Sequence, residues 1–203
     1  MPNDAFPLSR RTFVAGSLLA GAALSVPRLA YGLDVDGARA LIDKAIGAVN
    51  DTINSGKSEQ AMYGDLERIF LTYADVPTIA RSALGPTART ASKAQLSAFT
   101  KAFQGYISRK YGRRFREFVG GRIEVQDARE VKSYVEVVTT AYLQGEAPFE
   151  VRFHVSDKAG KSLFFNIIIE GVNMLASERT EIGALLDQRG GDLDKLIADM
   201  ASL

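Results

Sequence analysis

His154 is the sole histidine of the 203-residue chain, and there is no cysteine. One imidazole cannot build a histidine-rich metal site. The absence of thiols excludes a cysteine nucleophile, disulfides, a lipoprotein anchor and cysteine-based zinc or iron–sulfur centres. His154 alternates with Glu150 and Arg152 on the more polar side of a strand pattern, and no G-x-S-x-G elbow occurs anywhere. A serine hydrolase arrangement therefore lacks its nucleophile, and His154 reads as a solvated strand residue. Gly160-Lys161-Ser162 has the ending of a phosphate loop, but the position of its first glycine is Val155. It also falls between two strand patterns, where no helix N-terminus is available to a phosphate. No carboxylate pair is singled out for glycoside chemistry. The residues thus yield no catalytic group, no metal ligand set and no cofactor site. A hydrolase with an unrecognised catalytic pair is kept as the alternative from the enzyme class.

Arg109, Lys110, Arg113, Arg114 and Arg116 crowd into one short stretch, with Tyr111 and Phe115 between them. Basic residues interleaved with aromatics can serve nucleic acid, anionic lipid headgroups or an acidic protein, or simply form the solvated side of a helix. The chain's beginning and its charge decide among these. Ser9-Arg10-Arg11-Thr12-Phe13-Val14 opens a weakly apolar run to Val26, interrupted by Gly16, Ser17, Gly21 and Ser25. That run is shorter than the roughly 20 strongly apolar residues of a bilayer span. A charged segment, an apolar run and the small residues Ala30 and Gly32 form the pattern of a twin-arginine signal peptide over residues 1–32, cleaved after Gly32. Export by that route places residues 33–203 in the periplasm as one domain. Removal of Arg10, Arg11, Arg28 and Asp4 leaves 22 basic and 23 acidic residues. Nucleic acid is not the partner of a near-neutral exported domain. Arg109, Arg113, Arg114 and Arg116 are therefore read as headgroup or partner contacts.

Residues in these patterns need elements to hold them. Ala38, Leu41, Ile42, Ala45, Ile46, Val49 and Ile53 recur at helical spacing from Asp36 to Ile53. Two shorter helices are expected near Asp65–Tyr73 and Val76–Leu84, the latter closed by Gly85-Pro86. Ser92 and Gln95 form a capping box before a long helix whose aromatic stripe contains Phe99, Phe103, Tyr106, Tyr111, Phe115 and Phe118. Past Gly120-Gly121 the period becomes two. Strands are expected around Ile123–Val125, from Val131 to Leu143, from Phe149 to Val155 and from Leu163 to Val172. Helices near Glu178–Gln188 and Asp192–Ala201 close the chain. The order implies an α+β fold, a four-stranded antiparallel sheet covered on one side by helices.

Phe165-Asn166-Ile167-Ile168-Ile169-Glu170-Gly171-Val172-Asn173-Met174, followed by Glu181-Ile182-Gly183-Ala184-Leu185-Leu186 and Gly190-Gly191-Asp192-Leu193, resembles the MlaC family of periplasmic phospholipid-binding proteins. A helical half with Tyr73, Ala80, Leu84 and Gly85 extends the resemblance over the whole exported part. Two departures stand out: Phe165-Asn166 replaces the family's common aromatic-acidic pair, and no tryptophan stands in the preceding strand. The resemblance implies a non-enzymatic, monomeric carrier with phospholipid as cargo. It implies partners in an inner-membrane MCE-domain subunit of an ABC transporter and an outer-membrane lipoprotein complex, and a role in outer-membrane lipid asymmetry. It also implies an apolar lipid cavity between sheet and helices, lined by Phe70, Tyr73, Phe103, Tyr106, Val151, Phe153, Phe165, Ile167, Ile169, Val172 and Met174. A hopanoid or another apolar lipid is the alternative cargo. The periodicity of these residues describes a filled core equally well.

Overall fold

Asp34 caps the first helix: its carboxylate accepts hydrogen bonds from the backbone N–H groups of Asp36 and Gly37, each at 3.1 Å. The computed structural model describes residues 34–112 and 118–203. The expected signal segment, Arg113, Arg114, Phe115 and Arg116 lie outside the described residues. Helix α1 spans Val35–Ile53 and buries Ala38, Ile42, Ala45, Ile46 and Ile53, the spacing of one apolar face. Helix α2 spans Glu59–Tyr73. It begins before the expected Asp65 because the Ser58 hydroxyl caps it, accepting from Ala61 N at 3.4 Å. Helix α3 spans Val76–Leu84, is capped by Asp75, and passes into a 3-10 turn over Gly85–Arg89. Helix α4 spans Lys93–Gly112. Its capping box is present, with Gln95 Oε1 accepting from Ser92 N at 3.0 Å and Ser92 Oγ from Gln95 N at 3.1 Å. Phe99, Phe103 and Tyr106 of the aromatic stripe are buried, while Phe118 stands beyond the helix.

The sheet has five strands, not four: β1 Arg122–Val131, β2 Tyr134–Tyr142, β3 Phe149–Ser156, β4 Leu163–Ile169 and β5 Val172–Asn173. They lie in sequence order and every neighbouring pair is antiparallel. The apolar run from Leu163 to Val172 is not one strand. Glu170 and Gly171 both have positive φ, 48° and 81°, the backbone of a tight two-residue hairpin. The chain reverses there, and Ile169 pairs with Val172. Val131 likewise ends β1 instead of opening β2, because Lys132, at φ 55°, turns the chain.

Helix α5, Met174–Asp187, follows β5 directly, and α6 spans Leu193–Asp199. Asn173 caps α5, accepting from Ala176 N at 3.1 Å, so the helix starts at Met174 and not at Glu178. Val135, Val137 and Thr139 of β2 pair with Val155, Phe153 and Val151 of β3. In β4, Ile167 and Ile169 continue that row. This face joins Ile42, Ala80, Phe99, Phe103, Ile182 and Leu196 in one core. The helices therefore cover one side of the sheet, as expected.

Candidate functional site

A β-bulge decides which aromatic of the Phe164-Phe165 pair enters the core. Pairing between β3 and β4 shifts between His154 and Val155, so Val155 faces Phe164 while Phe153 faces Ile167. The extra residue re-aims the strand by one position. Phe164 is 6% exposed. Its ring centroid lies 5.7 Å from that of Phe153 and 6.2 Å from that of Phe70. Phe165 instead sits against Tyr134 at 5.8 Å and His154 at 5.9 Å. Uniform alternation gives Phe165 the inward place. Two adjacent aromatics in an alternating run were the signal that one of them must break it.

Phe164 also ties the helical half to the sheet. Its carbonyl accepts a 2.8 Å hydrogen bond from Asp75 N, and Ala74 forms a parallel bridge with it. Just before this junction α2 carries Phe70 and Tyr73, half-buried against the core. Across from them Phe153, Ile167 and Ile169 are also only half-buried. Leu66 is the sole buried residue of α2, so this helix is the least embedded of the large ones. The expected lining thus divides in two. Phe103, Tyr106 and Val151 are sealed, at 0%, 4% and 6% exposure. Phe70 and Phe153 meet at Phe164 in an apolar seam, and Tyr73, Ile167 and Ile169, further along α2 and β4, are like them only half-buried. Met174 is half-buried at the start of α5, and Val172, at 55% exposure, stands on the outer strand.

On the opposite face of the sheet, Glu136 is buried amid cations. Arg129 Nη2 reaches its Oε1 at 2.6 Å, and Arg152 Nη1 and His154 Nε2 lie 3.5 and 3.4 Å from its Oε2. Burial alone would raise the pKa of Glu136, but the bonded Arg129 and the charges of Arg152 and His154 outweigh it and hold the carboxyl below its usual range. His154 is buried, not solvated: its ring lies 4.4 Å from that of Tyr134, and Asn166 Nδ2 is 3.4 Å from its Nδ1. Burial lowers its pKa despite the neighbouring Glu136. The polar side of a strand became a packed layer because long side chains lie across it.

Between α4 and α5, Lys110 Nζ bonds Glu178 at 2.7 Å and Glu181 at 2.5 Å. The Tyr106 hydroxyl donates to Glu181 and the Tyr111 hydroxyl to Glu178. Burial and the adjacent carboxylates both push the two phenols well above the ordinary tyrosine range. Burial acts to lower Lys110, but the two glutamates prevail and raise it. Tyr106 therefore belongs to a polar clasp, and Glu178, absent from the sequence-based candidates, is its buried centre. Tyr106 and Lys110 at one-turn spacing were the only hint of it. Arg109 is also committed: its Nη2 donates to the Met200 carbonyl near the end of α6. Arg113, Arg114 and Arg116 fall outside the described residues. Among the described residues no group of His, Cys, Asp or Glu is placed to hold a metal ion, and no helix is long and apolar enough to cross a membrane.

Two comparisons bear on this geometry. The family model described as MlaC protein matches residues 39–202. Among solved structures, a phospholipid-binding protein from Ralstonia solanacearum, in complex with a phospholipid, superposes with a TM-score of 0.67 at 20% identity, over 81% of this chain and 98% of that one. At that identity the likeness is one of fold.

Proposed function

As a member of the MlaC family, this chain is one for which we propose the role of a non-enzymatic phospholipid carrier. Its seam between α2 and the β3–β4 face would be the route by which acyl chains enter. Exposing two acyl chains of roughly 30 methylenes to water costs more than about 20 kcal/mol at roughly 0.8 kcal/mol per methylene. A carrier must therefore sheathe them in apolar side chains and leave the headgroup outside. Phe70, Tyr73, Phe153, Ile167 and Ile169 are apolar or aromatic and only partly sealed, the condition for parting without first breaking a dry core. Phe103, Tyr106 and Val151 would become lining once the seam opens, with Phe164 added to the expected set and Phe165 outside it. Val172 and Met174 would lie at the rim.

The observation that carries this reading is a family match over almost all of the described chain, together with a shared fold in a protein crystallised with phospholipid. The twin-arginine segment would deliver the protein to the periplasm. There it would exchange glycerophospholipid with an inner-membrane MCE-domain ABC transporter and an outer-membrane lipoprotein complex, preserving lipid asymmetry. Arg113, Arg114 and Arg116 would face headgroup or partner.

Protein isolated from a bacterial periplasm is expected to yield phospholipid on solvent extraction, identified by mass spectrometry. A hopanoid in the extract would change the cargo but keep the carrier. An extract without lipid, together with identical melting of extracted and lipid-loaded protein, would overturn the reading.

A further inference from the structure

Arg81, Ser82, Arg89 and Arg179 line a surface pocket of about 260 Å³ floored by Gly85 and Ala88, where α3, the 3-10 turn and α5 meet. No carboxylate lines it. The sequence accounts for that: from Val76 to Arg116 there is no aspartate or glutamate, and the residues one turn from Arg179, namely Leu175, Ile182 and Gly183, are uncharged. Several other arginines are neutralised, Arg122 by Glu124, Arg129 and Arg152 by Glu136, and Arg189 by Asp199, while Arg39 and Arg109 donate to backbone carbonyls. Among the described residues, the three of this pocket have no acidic partner. In a chain of net charge +1, they are a local excess.

The pocket is also shaped. Gly85 has φ +64°, and a Cβ there would stand 3.0 Å from Arg179 Nε. The guanidinium of Arg179 therefore occupies the room that glycine leaves. Guanidinium groups offer forks of N–H donors matched to oxyanions, and a serine hydroxyl adds one more donor. Three full positive charges and that donor count exceed what a single carboxylate can use. A phosphate, with more oxygens and more charge, can use them.

We propose that the Arg81–Arg89–Arg179 pocket binds a phosphate group. The assignment is independent of the lipid cargo and of the seam between α2 and the sheet. Two sources share this chemistry, inorganic phosphate and the headgroup phosphates of an anionic membrane surface.

The purified chain is titrated with inorganic phosphate by calorimetry and sedimented with phosphatidylcholine vesicles with or without phosphatidylglycerol. R81Q/R89Q/R179Q is compared with K132Q/K158Q/K161Q, which removes the same charge from exposed turns of the sheet. Saturable phosphate binding weakened about tenfold or more in the arginine variant, and little changed in the lysine variant, assigns the pocket to free phosphate. The same contrast seen only with phosphatidylglycerol vesicles assigns it to headgroups. R179K keeps the charge but loses the fork, and is expected to fall between the wild type and the triple variant. Matching circular dichroism and melting confirm that each variant folds. Failure to bind either probe, or equal losses in the arginine and lysine variants, overturns the proposal.

Discussion

Glu178 is 3% exposed, and its charge is balanced chiefly by Lys110 at 2.7 Å. Removing one partner of a buried ion pair leaves an uncompensated charge, whereas replacing both with apolar groups can be nearly neutral. Lys110→Met is therefore expected to lower unfolding stability by about 3 kcal/mol in urea titration, and Lys110→Met/Glu178→Leu to recover part of that loss, since the Tyr111 hydroxyl then lacks its acceptor. The exposed pair Arg122–Glu124 provides the contrast: Glu124→Gln is expected to change stability by less than about 0.5 kcal/mol. His154 adds a dependence on pH. Burial holds its folded pKa below the unfolded value of about 6.5, so the unfolded chain takes up the proton first as pH falls. Stability is lost below about pH 6.5 on this account. Glu136, depressed when folded, adds a further loss below its unfolded pKa, at lower pH still. The groups facing the imidazole are Glu136, Arg152, Tyr134, Asn166 and Phe165. Urea midpoints at pH 7.5 and 5.5 should differ less in His154→Gln than in the wild type; equal differences would remove His154 from the explanation.

The junction of α2 with β4 is where helices and sheet become one unit, and two of its parts can be tested separately. Asp75, 5% exposed, caps α3 by accepting from Thr78 N at 3.1 Å and from the Thr78 hydroxyl at 2.7 Å. Asp75→Ala is expected to cost about 1–2 kcal/mol in thermal or urea unfolding. Phe164→Ala should cost about 3–5 kcal/mol because the ring is sealed between Phe70 and Phe153, and more than Phe165→Ala, whose half-buried ring sits against Tyr134 and His154. The reverse order would mean that the bulge is misplaced. Most of these elements were legible beforehand. The apolar spacing of α1, the capping box at Ser92 and Gln95 and the alternation of β3 each rest on local physics and hold in the structure. What escaped the sequence depends on single backbone angles and distant partners. Positive φ at Glu170 and Gly171 divides an apolar run into two strands, a shifted register exchanges Phe165 for Phe164, and Arg129 and Arg152 close over Glu136 from neighbouring strands. Periodicity carries no record of such contacts, since it describes a face and not what comes to lie upon it.

Across the whole molecule, one apolar layer must both hold the fold together and, on the proposed function, yield to lipid. These demands are separable if they fall on different residues. Val137 and Phe103 are fully buried, so their truncation should weaken the protein with or without cargo. Ile167 and Phe153 line the half-buried seam, where a charge can stay hydrated while the seam is closed but must be desolvated against an acyl chain. Ile167→Glu is thus expected to leave the lipid-free protein folded, with modest destabilisation, and to abolish lipid recovery on extraction. Loading the wild type with phospholipid at about 100 times its dissociation constant should stabilise it by roughly 2.7 kcal/mol through mass action. That rise should be missing in Ile167→Glu and retained, on a lower baseline, in Val137→Ala. Differential scanning calorimetry of the three proteins, each stripped and reloaded, measures both terms at once. An unaltered lipid-dependent shift in Ile167→Glu would place the acyl chains elsewhere, while loss of the shift in Val137→Ala as well would mean that the seam and the core open together.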